Sequence, residues 1–215
     1  MPQNKIDKQI LCNDSLKLDE SFYSHTDVLF IAKELIGKIL VTRFSKTLAA
    51  ARIVETEAYN GVVDKASHAY NGRRTNRTEI MYRSGGAAYV YLCYGIHHLF
   101  NVVTNARDIP HAVLIRAAEP VYGIETMLLR TRKTVFDYTL TKGPGNVSKA
   151  LGITSRNTGS NLLGKEIYII NDGIKYEPGI LIASPRIGVD YAAEDALLPY
   201  RFYLKDNRFV SRKNK

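Results

Sequence analysis

The sequence predicts a single mixed α+β domain on a mainly antiparallel sheet, and three observations carry that expectation. A chain of 215 residues has the length of one ordinary domain with arms. Hydrophobic residues at 45% and charged residues at 24% give a composition that can bury a core. Short strand-like runs recur as hairpin pairs, and helical spacing appears only in brief stretches between them.

The elements are read in chain order. Residues 1–22 read as a loose N-terminal arm, 23–206 as the one folded domain, and 207–215 as a basic C-terminal tail. Asp27 stands where an N-cap belongs, ahead of Val28, Ile31, Ala32 and Leu35 at helical spacing, and Gly37 ends that run. Lys38–Phe44 and Ala49–Tyr59 read as strands around a short turn. Residues 60–83 are polar, basic and weakly periodic: a long loop with room for one helical turn, of the kind that often carries function. Ala87–Cys93 and His98–Thr104 read as a hairpin with Tyr94-Gly95-Ile96-His97 at its tip. Ala112–Ala118 is another strand, after which Pro120 opens a helix to about Arg132. Lys142-Gly143-Pro144-Gly145 leads into a second short helix closed at Gly152. Ile167–Asn171 and Ile180–Ala183 read as strands, with Arg201–Leu204 as a candidate last one.

Composition narrows the function classes. The longest unbroken apolar run, Ala87 to Tyr94, falls far short of the ~18–20 residues that span a bilayer. The polar start, MPQNKIDKQI, has no signal-peptide core, and a cytoplasmic protein without a membrane partner is expected. Cys12 and Cys93 are too few and too far apart for a disulfide framework or a metal-binding pair. Lys plus Arg is 30 against 21 Asp plus Glu, a net charge of +9. The excess is patchy: residues 1–30 hold three bases and five acids, 65–83 five bases and one acid, and 201–215 six bases and one acid. Such patches suit a polyanion, nucleic acid above all. The aromatic set is 14 Tyr and 7 Phe with no Trp, and several tyrosines cluster between Tyr59 and Tyr94.

Glycine-rich nucleotide loops, HExxH and GxSxG are absent from the sequence. His97 and His98 point to opposite faces if extended, so they form no metal chelate, and no metal site is expected. The unusual string is Glu55-Thr56-Glu57-Ala58-Tyr59. On an extended backbone Glu57 and Tyr59 project to one side, roughly 6–7 Å apart. That pair reads either as a general base beside a stacking face or as a solvated edge-strand carboxylate. His68 lies in the basic loop with Arg73, Arg74, Arg77 and Arg83 after it, and the arginines suit phosphates. Tyr89 and Tyr91 share a strand face, whereas Tyr94 at a hairpin tip cannot bury well and suits a wedge between bases. Asn101 and Arg116 interrupt apolar strands and need partners or a polar pocket. Lys142, Gly143 and Gly145 at a helix start offer free N–H groups to an anion.

These residues occur in an order that closely resembles the alkyladenine, or 3-methyladenine, DNA glycosylase family. The strings are RIVETEAY with Glu57 and Tyr59, DKASHAY with His68, YVYLCYG with Tyr91 and Tyr94, FNVVT with Asn101, and LIRAAEP with Arg116. Residues 142–152 and Ser184-Pro185-Arg186-Ile187-Gly188-Val189 extend the likeness, which runs from about Thr26 to Leu204. The resemblance implies a curved antiparallel sheet related to the C-terminal domain of methionyl-tRNA formyltransferase. It implies a monofunctional base-excision enzyme, without metal or organic cofactor, that removes N-alkylated purines and leaves an abasic site. Glu57 would activate water and Arg116 would support it. Tyr59, His68, Tyr91 and Asn101 would form the base pocket, with Asn101 helping to exclude normal guanine. Tyr94 would fill the vacated gap. The partner would be double-stranded DNA carrying alkylated or deaminated purines, bound by a monomer associated with the nucleoid. One departure is Tyr200 before Arg201-Phe202, where the family often carries Trp.

The chemistry fits those residues. A base inside a duplex must be flipped out, at a cost of a few kcal/mol. A cationic alkylpurine gains roughly 0.5–2 kcal/mol from each electron-rich tyrosine face. Two other classes share features: a nucleic-acid-binding module would need the loop and Tyr94 but not Glu57, and an enzyme of free nucleosides would need the pocket but not the patchy charge.

Overall fold

The computed structural model describes residues 6–177 and 179–211. Its frame is an eight-stranded sheet in which every pairing is antiparallel. The strands are β1 (Ile39–Phe44), β2 (Thr47–Tyr59), β3 (Ala88–Cys93), β4 (His97–Thr104), β5 (His111–Tyr122), β6 (Ile167–Ile170), β7 (Leu181–Ser184) and β8 (Arg201–Leu204). Among the described residues five α-helices accompany them: α1 (Lys8–Leu11), α2 (Glu20–Tyr23), α3 (Val28–Glu34), α4 (Ile124–Thr131) and α5 (Pro144–Leu151). The sheet runs β3-β4-β5-β2-β1-β6, and β8, which also pairs with β7, branches from β2.

The 13-residue β2 is the axis of the molecule. One edge pairs with β5 along most of its length. Its other edge changes partner: Thr47–Arg52 pair with β1, and Glu55–Glu57 pair with β8. The β2–β5 ladder slips in register between Ile53 and Thr56, where Glu55 faces Ala117 and Thr56 faces Ile115. Arg116 is therefore the extra residue of a bulge. Such bulges bend a sheet and re-aim a side chain.

The predicted helix after Asp27 forms, with the Asp27 carboxylate accepting from the N–H groups of Leu29 (2.8 Å) and Phe30 (3.1 Å). Such a cap contributes about 1 kcal/mol. Val28, Ile31, Ala32 and Leu35 join one large core with β2, β4, β5 and α5. Pro120 does not open a helix. It lies within β5 opposite Ala51, beside a register slip and beyond the reach of β4, so its missing N–H costs no ladder bond. The helix starts after Gly123, which takes a left-handed φ of +74°.

Both expected arms are packed. Leu11 is fully buried, the Tyr168 hydroxyl donates to the Leu11 carbonyl at 2.9 Å, and Leu11 packs with Ile39, Val41 and Ile170. Burying one such leucine stabilises by about 1.5–3 kcal/mol. At the other end Phe209 and Val210 are buried in the main core. The first five residues of the arm and the last four of the tail lie outside the described residues. The basic loop is also more ordered than its composition suggests. It holds three short 3-10 turns (Gly61–Val63, Tyr70–Gly72 and Glu79–Tyr82), and Ile80, Met81 and Tyr82 pack on Tyr89 and Val103.

Candidate active site

Alternation along β2 puts Glu55, Glu57 and Tyr59 on one side, and all three meet partners there. Glu57 is completely buried. Its Oε2 accepts from the Tyr59 hydroxyl at 2.9 Å and lies 3.2 Å from Arg116 Nη1. Its Oε1 accepts from the backbone N–H of Ile187 at 2.8 Å. The bulge in β5 turns Arg116 onto this side, and its Nε also donates to Glu55 Oε1 at 3.2 Å. Burial works against the charged guanidinium, but Glu57 and Glu55 outweigh it, and Arg116 is more basic than free arginine. Tyr59 is held well above its ordinary value by burial first and by the Glu57 charge second, so it stays a neutral donor.

A small cavity adjoins this cluster through Tyr59, which lines it and donates to Glu57. Tyr59, His68, Tyr89, Tyr91, Asn101 and Tyr191 line it together with Ala66, Met81 and Ala112. The His68 ring meets Tyr91 edge-on at 4.7 Å between centroids, and Tyr89 lies 5.5 Å from Tyr91. His68 Nδ1 faces the Tyr89 hydroxyl at 2.8 Å, and Arg77 Nη2 approaches His68 Nε2 at 3.3 Å. A guanidinium only donates, so Nε2 accepts and the ring is neutral with its proton on Nδ1. Burial, then Arg77 and Arg73, lower His68 from 6.5 to about 4. Asn101 is buried, and its amide nitrogen donates to the carbonyls of Tyr89 (3.1 Å) and Leu99 (3.2 Å). Its partners are thus backbone, and it still forms part of the cavity wall.

Around the cavity mouth the predicted residues separate into groups. Tyr94 is 90% exposed at the β3–β4 tip, with a left-handed φ of +50° followed by Gly95 at +72°. Arg77 lies over the Tyr91 ring at 5.0 Å. Arg73 is exposed. Arg74 is engaged elsewhere: it donates to both Glu79 oxygens and to Asp108, each at 2.7 Å. It is an internal tie of the loop, and its partner Asp108 lies too far along the chain to be foreseen. Lys142 and Gly143 precede α5, with Gly143 at φ +92° and open space where a Cβ would be. Gly145 lies close to His97: a Cβ there would sit 2.8 Å from His97 Nδ1 and would displace that exposed ring. The start of α5 therefore lies against His97 at the tip end of the Tyr94 hairpin.

Sequence reasoning missed several participants. The Ile187 N–H, Tyr191 and Tyr89 all reach the site. Arg186 donates to the Ala58 carbonyl at 2.9 Å and pairs with buried Asp64, lying 4.9 Å from the Tyr59 ring centroid. Two signals were present: the Tyr89/Tyr91 face-sharing, and the matched string around Arg186-Ile187, which carried no assigned role.

The site thus joins a buried carboxylate held by arginine, an adjoining cavity walled by tyrosines and His68, and an exposed tyrosine at a neighbouring hairpin tip. Residues 21–208 match the family Methylpurine-DNA glycosylase (MPG), and the chain belongs to that family. Similar curated proteins each bear, provisionally, the name 3-methyladenine DNA glycosylase. One from Alkaliphilus oremlandii is 46% identical over 205 residues, covering 92% of this chain and all of the relative. One from Chlamydia abortus is 48% identical over 188 residues, covering 87% of this chain and 97% of the relative. One from Clostridium perfringens strain SM101 is 43% identical over 206 residues, covering 92% and 100%.

Proposed function

We propose that this chain is a monofunctional DNA glycosylase of base excision repair that flips N-alkylated purines from duplex DNA and hydrolyses their N-glycosidic bond. Substrates are 3-methyladenine and 7-methylguanine, with hypoxanthine and etheno adducts as further candidates. The observation that carries the reading is the Glu57 carboxylate, paired with Arg116 and capped by the Tyr59 hydroxyl beside the aromatic cavity.

The chemistry then follows from the side chains. Tyr91 and His68 on one side and Tyr59 on the other receive the base, and the tyrosine faces favour a cationic ring. Arg77 rests on the Tyr91 face in the free protein and moves to the phosphates as the base enters. Water attacks C1′ of the sugar, and its proton passes to Glu57. The glycosidic bond breaks, and its electron pair leaves with the purine, so a cationic base departs neutral. The Glu57 charge also stabilises the sugar cation, while Arg116 fixes the carboxylate in place. Tyr94 fills the gap in the stack, supported by its exposed tip. Arg73, Arg77, Lys142 and the backbone of Gly143 and Gly145 hold phosphates, and Arg74 orders the loop that carries them. The protein works as a monomer and uses neither metal nor organic cofactor.

Incubation of the full chain with methylated duplex DNA, followed by chromatography of the released bases, tests the reading. Free 3-methyladenine and 7-methylguanine should appear with an intact abasic strand, and borohydride should trap no enzyme–DNA adduct. Absence of base release sinks the activity, and a trapped adduct replaces Glu57-activated water with an amine nucleophile.

A further inference from the structure

Glu55 is the second buried carboxylate at this site, and neither the water activation nor the base pocket uses it. It is completely buried and, among the described residues, accepts hydrogen bonds from three side chains and one backbone N–H. Two come from arginines: Arg116 Nε at 3.2 Å and Arg201 Nη1 at 3.0 Å. Two come from Ser211, whose backbone N–H lies 2.6 Å from Oε2 and whose hydroxyl lies 2.9 Å from Oε1. Ser211 stands 156 positions along the chain from Glu55, just after the tail has buried Phe209 and Val210. Arg116 thus bridges two carboxylates, by Nε to Glu55 and by Nη1 to Glu57. A buried ion network of this kind is seldom the most stabilising filling for its space, since well-packed apolar groups often do as well or better. Its distinctive property is geometric: Glu55, held by Ser211 and Arg201, accepts from Arg116 Nε, while the Ser211 hydroxyl lies 3.4 Å from Arg116 Nη2, so the two together set the plane of the guanidinium that faces Glu57.

We propose that Glu55 is a positioning residue for base release, acting through Arg116 on Glu57, and that Ser211 of the C-terminal segment holds Glu55 in place. The proposal rests on the reading of Glu57 as the group that activates water. The tail is then a working part of the site, although it lies at the opposite end of the chain from the β2 motif. The groups facing Glu57 are Arg116 from β5, Tyr59 on its own strand, Tyr91 from β3, and Arg186 and Tyr191 from the segment between β7 and β8. Of these Arg116 is the one that Glu55 also holds. Removing the Glu55 charge takes one of the two negative charges away from Arg116, and the loss of a like charge beside a working carboxylate moves the acid limb of the rate profile to lower pH.

Single-turnover base release from methylated duplex DNA, measured from pH 5 to 9 with the full chain and with Glu55→Gln, Ser211→Ala and Ser211→Thr, tests this. Glu55→Gln should slow release about 10- to 100-fold, the scale of a small misplacement of a reacting group. Its acid limb should move to lower pH, with affinity for uncleaved DNA unchanged. Ser211→Ala, which keeps the backbone bond, should slow release about three- to tenfold and move the limb in the same direction, and Ser211→Thr should restore both. Loss of rate in proportion to loss of folded protein, with the limb unmoved, makes the network structural and overturns the proposal. Native rate and native limb in both Glu55→Gln and Ser211→Ala overturn it as well. If Glu55→Gln does not fold, the Ser211 pair decides. A Glu57→Gln control that cleaves at the native rate overturns the underlying reading instead, and the proposal falls with it.

Discussion

His68 shows how much one side chain reports. Its ring is neutral in the fold and is lowered to about 4, by burial first and by Arg77 and Arg73 second. The unfolded chain binds this proton near 6.5, so below that pH the unfolded state holds more protons than the folded one. Stability must therefore rise with pH between about 4 and 6.5 and be complete above that window. The full span corresponds to roughly 3 kcal/mol, less what solvent at the cavity mouth screens. Urea unfolding at pH 4.5 and pH 7 should show a smaller pH dependence in His68→Asn than in the native chain, and equal dependence would place His68 in ordinary solvent. Asn101 makes a second residue-scale prediction. Its amide is spent on backbone carbonyls, so Asn101→Ala or Asn101→Ser should widen the wall without unfolding the sheet. Release of unmodified guanine relative to 7-methylguanine should rise severalfold in a folded variant, and an unchanged ratio removes Asn101 from specificity. The period of two in a strand made the Glu57–Tyr59 pair legible in the sequence. The aim of Arg116 was not, because a bulge reverses the face that alternation assigns. Arg74 looked like a phosphate hand because one partner, Asp108, is distant in sequence and the other, Glu79, is the lone acid in a basic stretch.

The β3–β4 hairpin is the element with the clearest expected function. Its tip carries Tyr94 at 90% exposure and Ile96 at 72%, apolar surface that no core of the protein covers. Tyr94→Ala should therefore leave the melting temperature within a degree or two of native while weakening affinity for abasic DNA by about tenfold or more. A collapsed melting temperature with unchanged affinity of the folded fraction would make Tyr94 a packing residue. Hairpins and the capped helix at Asp27 were readable because turn and cap chemistry are local. Pro120 misled for the opposite reason. A proline is as acceptable on a strand whose N–H side lies beyond its neighbour as at a helix start, and only the reach of β4 distinguishes the two.

At the scale of the whole molecule the net charge of +9 and the docking of the segments around Leu11 and Phe209 matter most. Neither terminal segment carries a long hydrophobic run, so composition made both look loose. Leu11, Phe209 and Val210 show that one or two buried side chains suffice to dock such a segment. If Arg73, Arg77 and Lys142 each meet a phosphate, log affinity for duplex DNA should fall with log salt at a slope of about −3. A flat dependence would contradict a duplex partner and favour a free nucleoside. The central claim is narrower: Glu57 carries the chemistry, and the surrounding surface carries the binding. The direct test measures binding and base release side by side on one methylated duplex, with the native chain and Glu57→Gln. The account predicts affinity within a fewfold of native and release slower by about 10²–10⁴-fold. Release by a folded Glu57→Gln variant at close to the native rate would contradict it.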